Sequence, residues 1–160
     1  MKADEVLTLQ HGVIRSLLAQ LVDTTDRDGG RRRRLLDTLS AELGVHTQIE
    51  DEIFYPAIRG VSSLFALAHA EHRQIDDQLA VVLGADPATD YFDEELGSLE
   101  SVVEHHASEE EREMFPQAQA LGDVELEALG QRMQARKNHL EQSRLATTRL
   151  RVKREVLRRV

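Results

Sequence analysis

The chain has 160 residues, no cysteine, no tryptophan and a formal net charge of −9. This length suits one domain with a sizeable core. The missing cysteines exclude disulfides and thiolate metal sites, so any metal must be held by nitrogen and oxygen. The acidic balance argues against nucleic acid as a partner of the whole chain. Three prolines and nine glycines are too few for a turn-rich β protein, and an abundance of Leu, Ala, Glu, Arg and Gln points to an all-α chain. The start, Met1-Lys2-Ala3-Asp4-Glu5-Val6, has no apolar core of a signal peptide. No run approaches the roughly 20 apolar residues that cross a bilayer. The expectation is a cytoplasmic protein, monomeric and without a membrane partner.

Helical spacing predicts a first helix over about Ala3–Asp26, with Val6, Leu7, Leu9, Val13, Ile14, Leu17, Leu18, Leu21 and Val22 in its apolar stripe and His11 beside them. Thr24 to Gly30 is expected as a loop, its glycine pair stopping the helix. A second helix is predicted over Arg31–Tyr55, opened by Arg31-Arg32-Arg33-Arg34, which reads as a solvated basic collar. A third is predicted over Val61–Leu83. A fourth is predicted from Asp90 to about Ala118, capped by Asp90 or Thr89. A fifth segment, Val124 to about Leu157, carries an irregular apolar stripe. It ends in a basic tail (Arg149, Arg151, Lys153, Arg154, Arg158, Arg159) that reads as solvated.

Two stretches carry the chemistry. His105-His106 is followed by Glu109-Glu110 and closes with Met114-Phe115-Pro116. Earlier, His46 is followed by Glu50 and closes with Phe54-Tyr55-Pro56. Superposing the prolines puts His46 on His106 and Glu50 on Glu110. Residues i and i+4 share a helix face, so each His–Glu pair projects together. A second echo joins the first: Gln10-His11 resembles Glu71-His72. The chain is twice one unit, a helix with a lone His, a loop, and a helix with H-x-x-x-E. Two such αα-hairpins make an up-down four-helix bundle over residues 1–122. Residues 123–160 add a fifth, C-terminal helix to the same domain.

In that bundle four imidazoles and two carboxylates meet in an apolar core. Six such groups without a counter-charge are very costly to bury. A pair of metal ions removes the cost, each carboxylate bridging both ions and each ion taking two histidines. The donor set favours iron or manganese, with zinc possible. Beyond Glu50, Pro56 lacks an N–H and crowds the preceding turn, so local distortion is expected there. A widened turn aims Tyr55 inward as a phenolate ligand; in the alternative, Tyr55 packs as its repeat mate Phe115 does. His105 falls one residue off the His106 face and is expected to be exposed or to support a ligand. His139 has no partner pattern.

Over residues 3–120 these motifs resemble the hemerythrin-like (HHE cation-binding) family. The resemblance implies a hemerythrin-like four-helix bundle with a non-haem di-iron centre. Carried over, its ligands are His11, His46, Glu50, His72, His106 and Glu110, with the two glutamates bridging. The chain departs from hemerythrin itself one turn before His72. An H-x-x-x-H pattern there needs histidine, and this chain has Ala68, with His69 as the nearby imidazole. His69 is either a displaced ligand or a surface hydrogen-bonding group, and Tyr55 is the other candidate for the missing donor.

Fewer imidazoles and more oxygen donors stabilise ferric iron and weaken reversible oxygen binding. The expectation is two iron ions with an oxo or hydroxo bridge that react with hydrogen peroxide or dioxygen, catalase-like, in oxidative or nitrosative stress defence. The alternative is an O2-, NO- or iron-sensing or O2-storing protein without turnover, for which the fifth helix is the only candidate output. Leu7, Ile14, Leu43, Ile49, Ile75, Val103 and Met114 are expected to wall the pocket.

Overall fold

The computed structural model describes residues 1–157, with side chains through residue 145. The basic side chains expected at Arg149, Arg151, Lys153, Arg154, Arg158 and Arg159 lie outside that range. Helix α1 spans Ala3–Val22. Helix α2, Gly29–Ile49, runs through a π-helical turn, Glu50–Phe54, into the short α3, Tyr55–Ile58. Helix α4 spans Phe65–Gly84. Helix α5, Asp90–Glu109, likewise continues through a π turn, Glu110–Met114, into α6, Phe115–Ala118. Helix α7 is Asp123–Leu157. Among the described residues there is no strand, and no helix is long and apolar enough to cross a membrane. The architecture is the expected all-α bundle with an added C-terminal helix.

Two apolar clusters fill the bundle. One holds Ala3, Val6, Leu7, Ile49, Phe54, Met114 and Phe115. The other holds Ile14, Leu18, Leu36, Leu43, Ile75, Leu96 and Val103. Along every long helix of the bundle, a histidine lies where one cluster gives way to the other: His11 in α1, His46 in α2 (beside Val45 of the first cluster), His72 in α4 and His106 in α5. Because neighbouring helices run antiparallel, the four histidines fall at one level, a polar layer between two greasy ones. Each apolar layer gains about 1.5–3 kcal/mol per fully buried large side chain, and this burial offsets the cost of ordering a polar level between them.

Several boundaries differ from expectation for local reasons. The α1 helix stops at Val22, and Gly29-Gly30 open α2 instead of ending α1. Thr25 and Asp28 form a capping box before them, with Thr25 N donating to Asp28 Oδ2 at 2.9 Å. The basic collar is not uniformly solvated. Arg31, Arg33 and Arg34 are exposed, but Arg32 is buried. Its guanidinium donates to Thr24 Oγ1 at 2.9 Å and Thr24 O at 3.0 Å, pairs with Asp93 Oδ1 at 2.7 Å, and sits 4.7 Å over the Phe92 ring. A buried charge is tolerable with that many partners, and together they clamp the α1–α2 and α4–α5 connections to each other. Helix α4 begins at Phe65 rather than Val61, because Val61 N and Ser62 N both donate to Ile58 O and Ser62 Oγ accepts from Leu64 N. Thr89 caps α5, its Oγ1 accepting from Phe92 N at 3.3 Å.

Helix α7 closes one end of the bundle. Leu126, Leu129 and Met133 are buried in the same cluster as Leu7 and Phe115. The approach requires glycine at 130: a Cβ there would collide with Met1 O and lie 2.9 Å from the Lys2 carbonyl carbon. Lys2 Nζ adds an ion pair to Asp123 Oδ1 at 2.7 Å. Gly130→Ala is expected to lower the unfolding free energy by about 1–3 kcal/mol, the usual cost of overpacking, read from urea midpoints at unchanged helical content.

Candidate metal centre

The two π turns begin at the glutamates of the two H-x-x-x-E units. In each, the backbone N–H five residues on closes the turn: Tyr55 N to Glu50 O, and Phe115 N to Glu110 O. The prolines that follow cannot donate, and they crowd the carbonyl four residues back. The widened turn relieves this. It also changes which residues share a face. Five residues along an α-helix lie about 140° apart, from 3.6 residues per turn. A π turn closes on the fifth residue, so Tyr55 comes round to the side of Glu50.

The side chains of His11, His46, Glu50, His72, His106 and Glu110 are all buried and converge, and Tyr55 joins them. They form two groups that share Glu50. In the first, donor atoms of His11, His46, Glu50 and Glu110 lie within 4.8 Å of one another; in the second, those of Glu50, His72 and His106 do. His46 Nε2 is 3.2 Å from Glu50 Oε1, and His11 Nε2 is 3.3 Å from Glu110 Oε2. Glu50 turns its other oxygen to the second group, with Oε2 3.0 Å from His72 Nε2. His72 Nε2 and His106 Nε2 are 3.2 Å apart. The Tyr55 hydroxyl donates to Glu110 Oε1 at 2.7 Å and lies 3.1 Å from His72 Nε2. Donor atoms roughly 3 Å apart are spaced as they are around one first-row metal ion with bonds near 2.1 Å.

All four rings present Nε2 inward because Nδ1 is engaged outside. His11 Nδ1 donates to Glu111 Oε1 at 2.8 Å, His46 Nδ1 to Gln10 Oε1 at 3.0 Å, His72 Nδ1 to Asp51 Oδ1 at 3.1 Å and His106 Nδ1 to Glu71 Oε2 at 2.9 Å. Arg15 braces Glu111 at 2.8 Å and Glu104 at 2.7 Å. This is how metal-binding histidines are fixed in tautomer and direction. Sequence reasoning did not find these outer partners. Their signal is in the repeat: Gln10 and Glu71 directly precede the lone histidines, and Asp51 and Glu111 directly follow the glutamates.

Burial and the neighbouring charges shift the titration of the layer. Burial pulls the His106 pKa down, but hydrogen bonds to Glu50 and Glu71 outweigh it and push it up to about 11. His72, buried as well, is pushed up to about 9 by Asp51 and Glu50. His46 falls to about 3, through burial and, despite Glu50, the neighbouring imidazoles. Burial raises Glu50, yet His46, His106 and His72 hold it well below the usual carboxylate range. Burial, reinforced by Glu50, pushes Glu110 up. The same burial, with both glutamates nearby, raises the Tyr55 phenol well above its ordinary value. Even so, His11 Nε2, Glu50 Oε1 and Glu110 Oε2 are buried with no hydrogen-bond partner among the described residues. Buried polar atoms seldom go unpaired. Three that point at one another from a nitrogen and two carboxylates fit metal ions, and the nitrogen–oxygen set suits iron or manganese.

The remaining candidates fall away from the centre. His69 Nδ1 is 2.9 Å from Asp51 Oδ1, and the ring stands edge-on to Tyr55. Ala68 is buried in the apolar cluster that contains Tyr55. Phe115, the repeat mate of Tyr55, stacks on His11 with centroids 6.0 Å apart. His105 is exposed and faces Glu71, and exposed His139 accepts from Arg136. Of the expected pocket walls, Ile14, Leu43, Ile75 and Val103 line a cavity of about 10 Å³ beside His11, His46 and His106. Met114 lines a separate cavity, while Leu7 and Ile49 pack in the core.

The chain matches the family described as Hemerythrin HHE cation binding domain over residues 2–118. It is 36% identical, over the full length of both chains, to the uncharacterized proteins Rv2633c of Mycobacterium tuberculosis and Mb2666c of Mycobacterium bovis. A crystal structure of a hemerythrin HHE cation binding domain-containing protein from Mycobacterium kansasii, an Rv2633c homolog, is 39% identical. It superposes with a TM-score of 0.84 over 93% of each chain. A duplicated hairpin with buried His–Glu pairs, matched along nearly all of the bundle, makes this chain a member of the hemerythrin HHE cation-binding domain family.

Proposed function

We propose that the chain is a non-haem di-iron protein that disproportionates hydrogen peroxide in the cytoplasm, in defence against oxidative or nitrosative stress. The observation that carries this reading is the Tyr55 hydroxyl, 2.7 Å from Glu110 and 3.1 Å from His72. An oxygen donor stands where a further imidazole would favour reversible oxygen binding. On this reading His11, His46, Glu50 and Glu110 would hold one ion, and Glu50, His72, His106 and Tyr55, with Glu110 Oε1 beside the Tyr55 hydroxyl, would hold the other. When bound, the iron pair supplies a two-electron redox couple, so that one peroxide molecule is oxidised to dioxygen while a second is reduced to water.

The chain's own groups do the rest. The four outer hydrogen bonds keep each Nε2 aimed inward. The Tyr55 hydroxyl proton, donated to Glu110 Oε1 before metal binding, must leave for the phenolate to form, and Glu110 is the acceptor it already faces. The walls formed by Ile14, Leu43, Ile75 and Val103 exclude bulk water and larger oxidants. In α7, Leu126, Leu129 and Met133 are committed to the core of the bundle.

Added to the iron-loaded protein, hydrogen peroxide is expected to release O2, followed with an oxygen electrode. No release, combined with a reversible spectral change under O2, rules the reading out. Tyr55→Phe is expected to abolish a phenolate-to-iron charge-transfer band, and a band that survives removes the phenolate ligand. His46→Ala and Glu110→Ala are expected to lose bound iron by metal analysis. Stability also responds to pH. His72 and His106 have pKa values raised above the ordinary 6.5, to about 9 and about 11. Their protonated forms stabilise the metal-free fold fully below about pH 6.5, and that contribution is lost as pH rises through those values. Metal needs the same rings deprotonated. The gap in melting temperature between loaded and metal-free protein should therefore widen from pH 6.5 to pH 9; a constant gap counts against these histidines as ligands.

A further inference from the structure

One cluster of metal-ligating side chains lies outside the centre and open to solvent. Glu71 on α4, with His105 and Glu109 on α5, bring one donor atom each to within 4.8 Å of one another. His105 Nε2 is 3.3 Å from Glu71 Oε1 and 3.6 Å from Glu109 Oε2. His105 and Glu109 are one helical turn apart and share a face. The cluster grades from open to closed: the side chains of His105, Glu109 and Glu71 are 66%, 27% and 9% exposed.

Glu71 divides its two oxygens. Oε2 accepts from His106 Nδ1 at 2.9 Å, within the candidate centre. Oε1 points the other way, and like Glu109 Oε2 it is buried with no hydrogen-bond partner among the described residues. One imidazole N–H cannot satisfy two carboxylate oxygens, whereas a cation answers both. Behind the cluster lies a cavity of about 10 Å³, with Ala68, Glu71, Glu109 and Glu110 in its lining. Carboxylates thus lead from the solvent-facing imidazole to Glu110 in the centre. On the other side of His72 the pattern differs: Asp51 Oδ1 is taken up by both His72 and His69.

We propose that Glu71, His105 and Glu109 form a third, solvent-facing cation site that captures iron(II) on its way to the two inner positions. The proposal rests on the reading that the inner donors hold two iron ions. Three side-chain donors leave an ion with several exchangeable waters, so this site is the weaker and more labile one. Its imidazole and carboxylates match iron(II) or manganese(II). The inner donors are more numerous and drier, so transfer inward runs downhill. The chain's net charge of −9 favours the approach of cations.

The test uses the full-length metal-free protein, titrated anaerobically with iron(II). Calorimetry gives stoichiometry, stopped-flow absorbance gives the filling rate and metal analysis gives final occupancy. Wild type is expected to bind two irons tightly and one weakly. His105→Ala and the near-isosteric Glu109→Gln leave the His106–Glu71 hydrogen bond in place. Each should lose the weak equivalent and fill the tight pair tenfold or more slowly, by about the size of an electrostatic capture effect, yet reach the same two irons and the same final spectrum. Unchanged stoichiometry and rate in both variants overturn the proposal while leaving the inner centre standing. Fewer than two tight irons in wild type instead overturn the di-iron reading, and the proposal with it. Circular dichroism separates a folding failure of one variant from either result, and the other variant then decides.

Discussion

An imidazole offers its Nε2 lone pair to a cation only when its proton sits on Nδ1 and the ring cannot turn. Everything else in this molecule depends on meeting that condition four times inside an apolar bundle. Gln10, Asp51, Glu71 and Glu111 meet it, by accepting from Nδ1 of His46, His72, His106 and His11 in turn. With the rings fixed, their inner nitrogens crowd together with two glutamates, and the resulting charge must be neutralised by protons or by metal. The apolar clusters on either side supply the stability against which this polar level is held.

The π turns show how a small backbone irregularity serves a site. An undistorted α-helix would carry Tyr55 away from Glu50, and Pro56 would strain against it. Widening the turn answers both, and it does so again at Pro116. The second turn brings a phenyl ring against His11, where the first brings a hydroxyl to His72. The two halves therefore share a backbone device and differ by one oxygen atom.

The sequence made some of this legible and left the rest hidden, for physical reasons. His46 with Glu50 and His106 with Glu110 could be read because four-residue spacing fixes a common helix face, and the repeat tied the two pairs together. Tyr55 could be read only as one of two alternatives, since its direction depends on a turn that α-helical geometry does not produce. The outer partners were hidden because each reaches a histidine on a different helix. Arg32 looked like one of four solvated arginines. Its burial is decided by Thr24, Phe92 and Asp93, which no local pattern brings together. Gly29-Gly30 read as a stop because glycine weakens helices, but the capped 3-10 turn of Asp26–Asp28 runs directly into the pair, which begins α2.

The two hairpins are also interleaved. His11, on the first, faces Glu110 on the second, while His72 and His106, on the second, meet Glu50 and Tyr55 from the first. The outer hydrogen bonds follow suit: Gln10 and Glu71 act within their own hairpins, and Asp51 and Glu111 reach across. Neither hairpin holds a full donor set of its own. In coordination terms the chain is a dimer joined by a covalent link between Ile58 and Phe65, and that link replaces a concentration-dependent association with an intramolecular one.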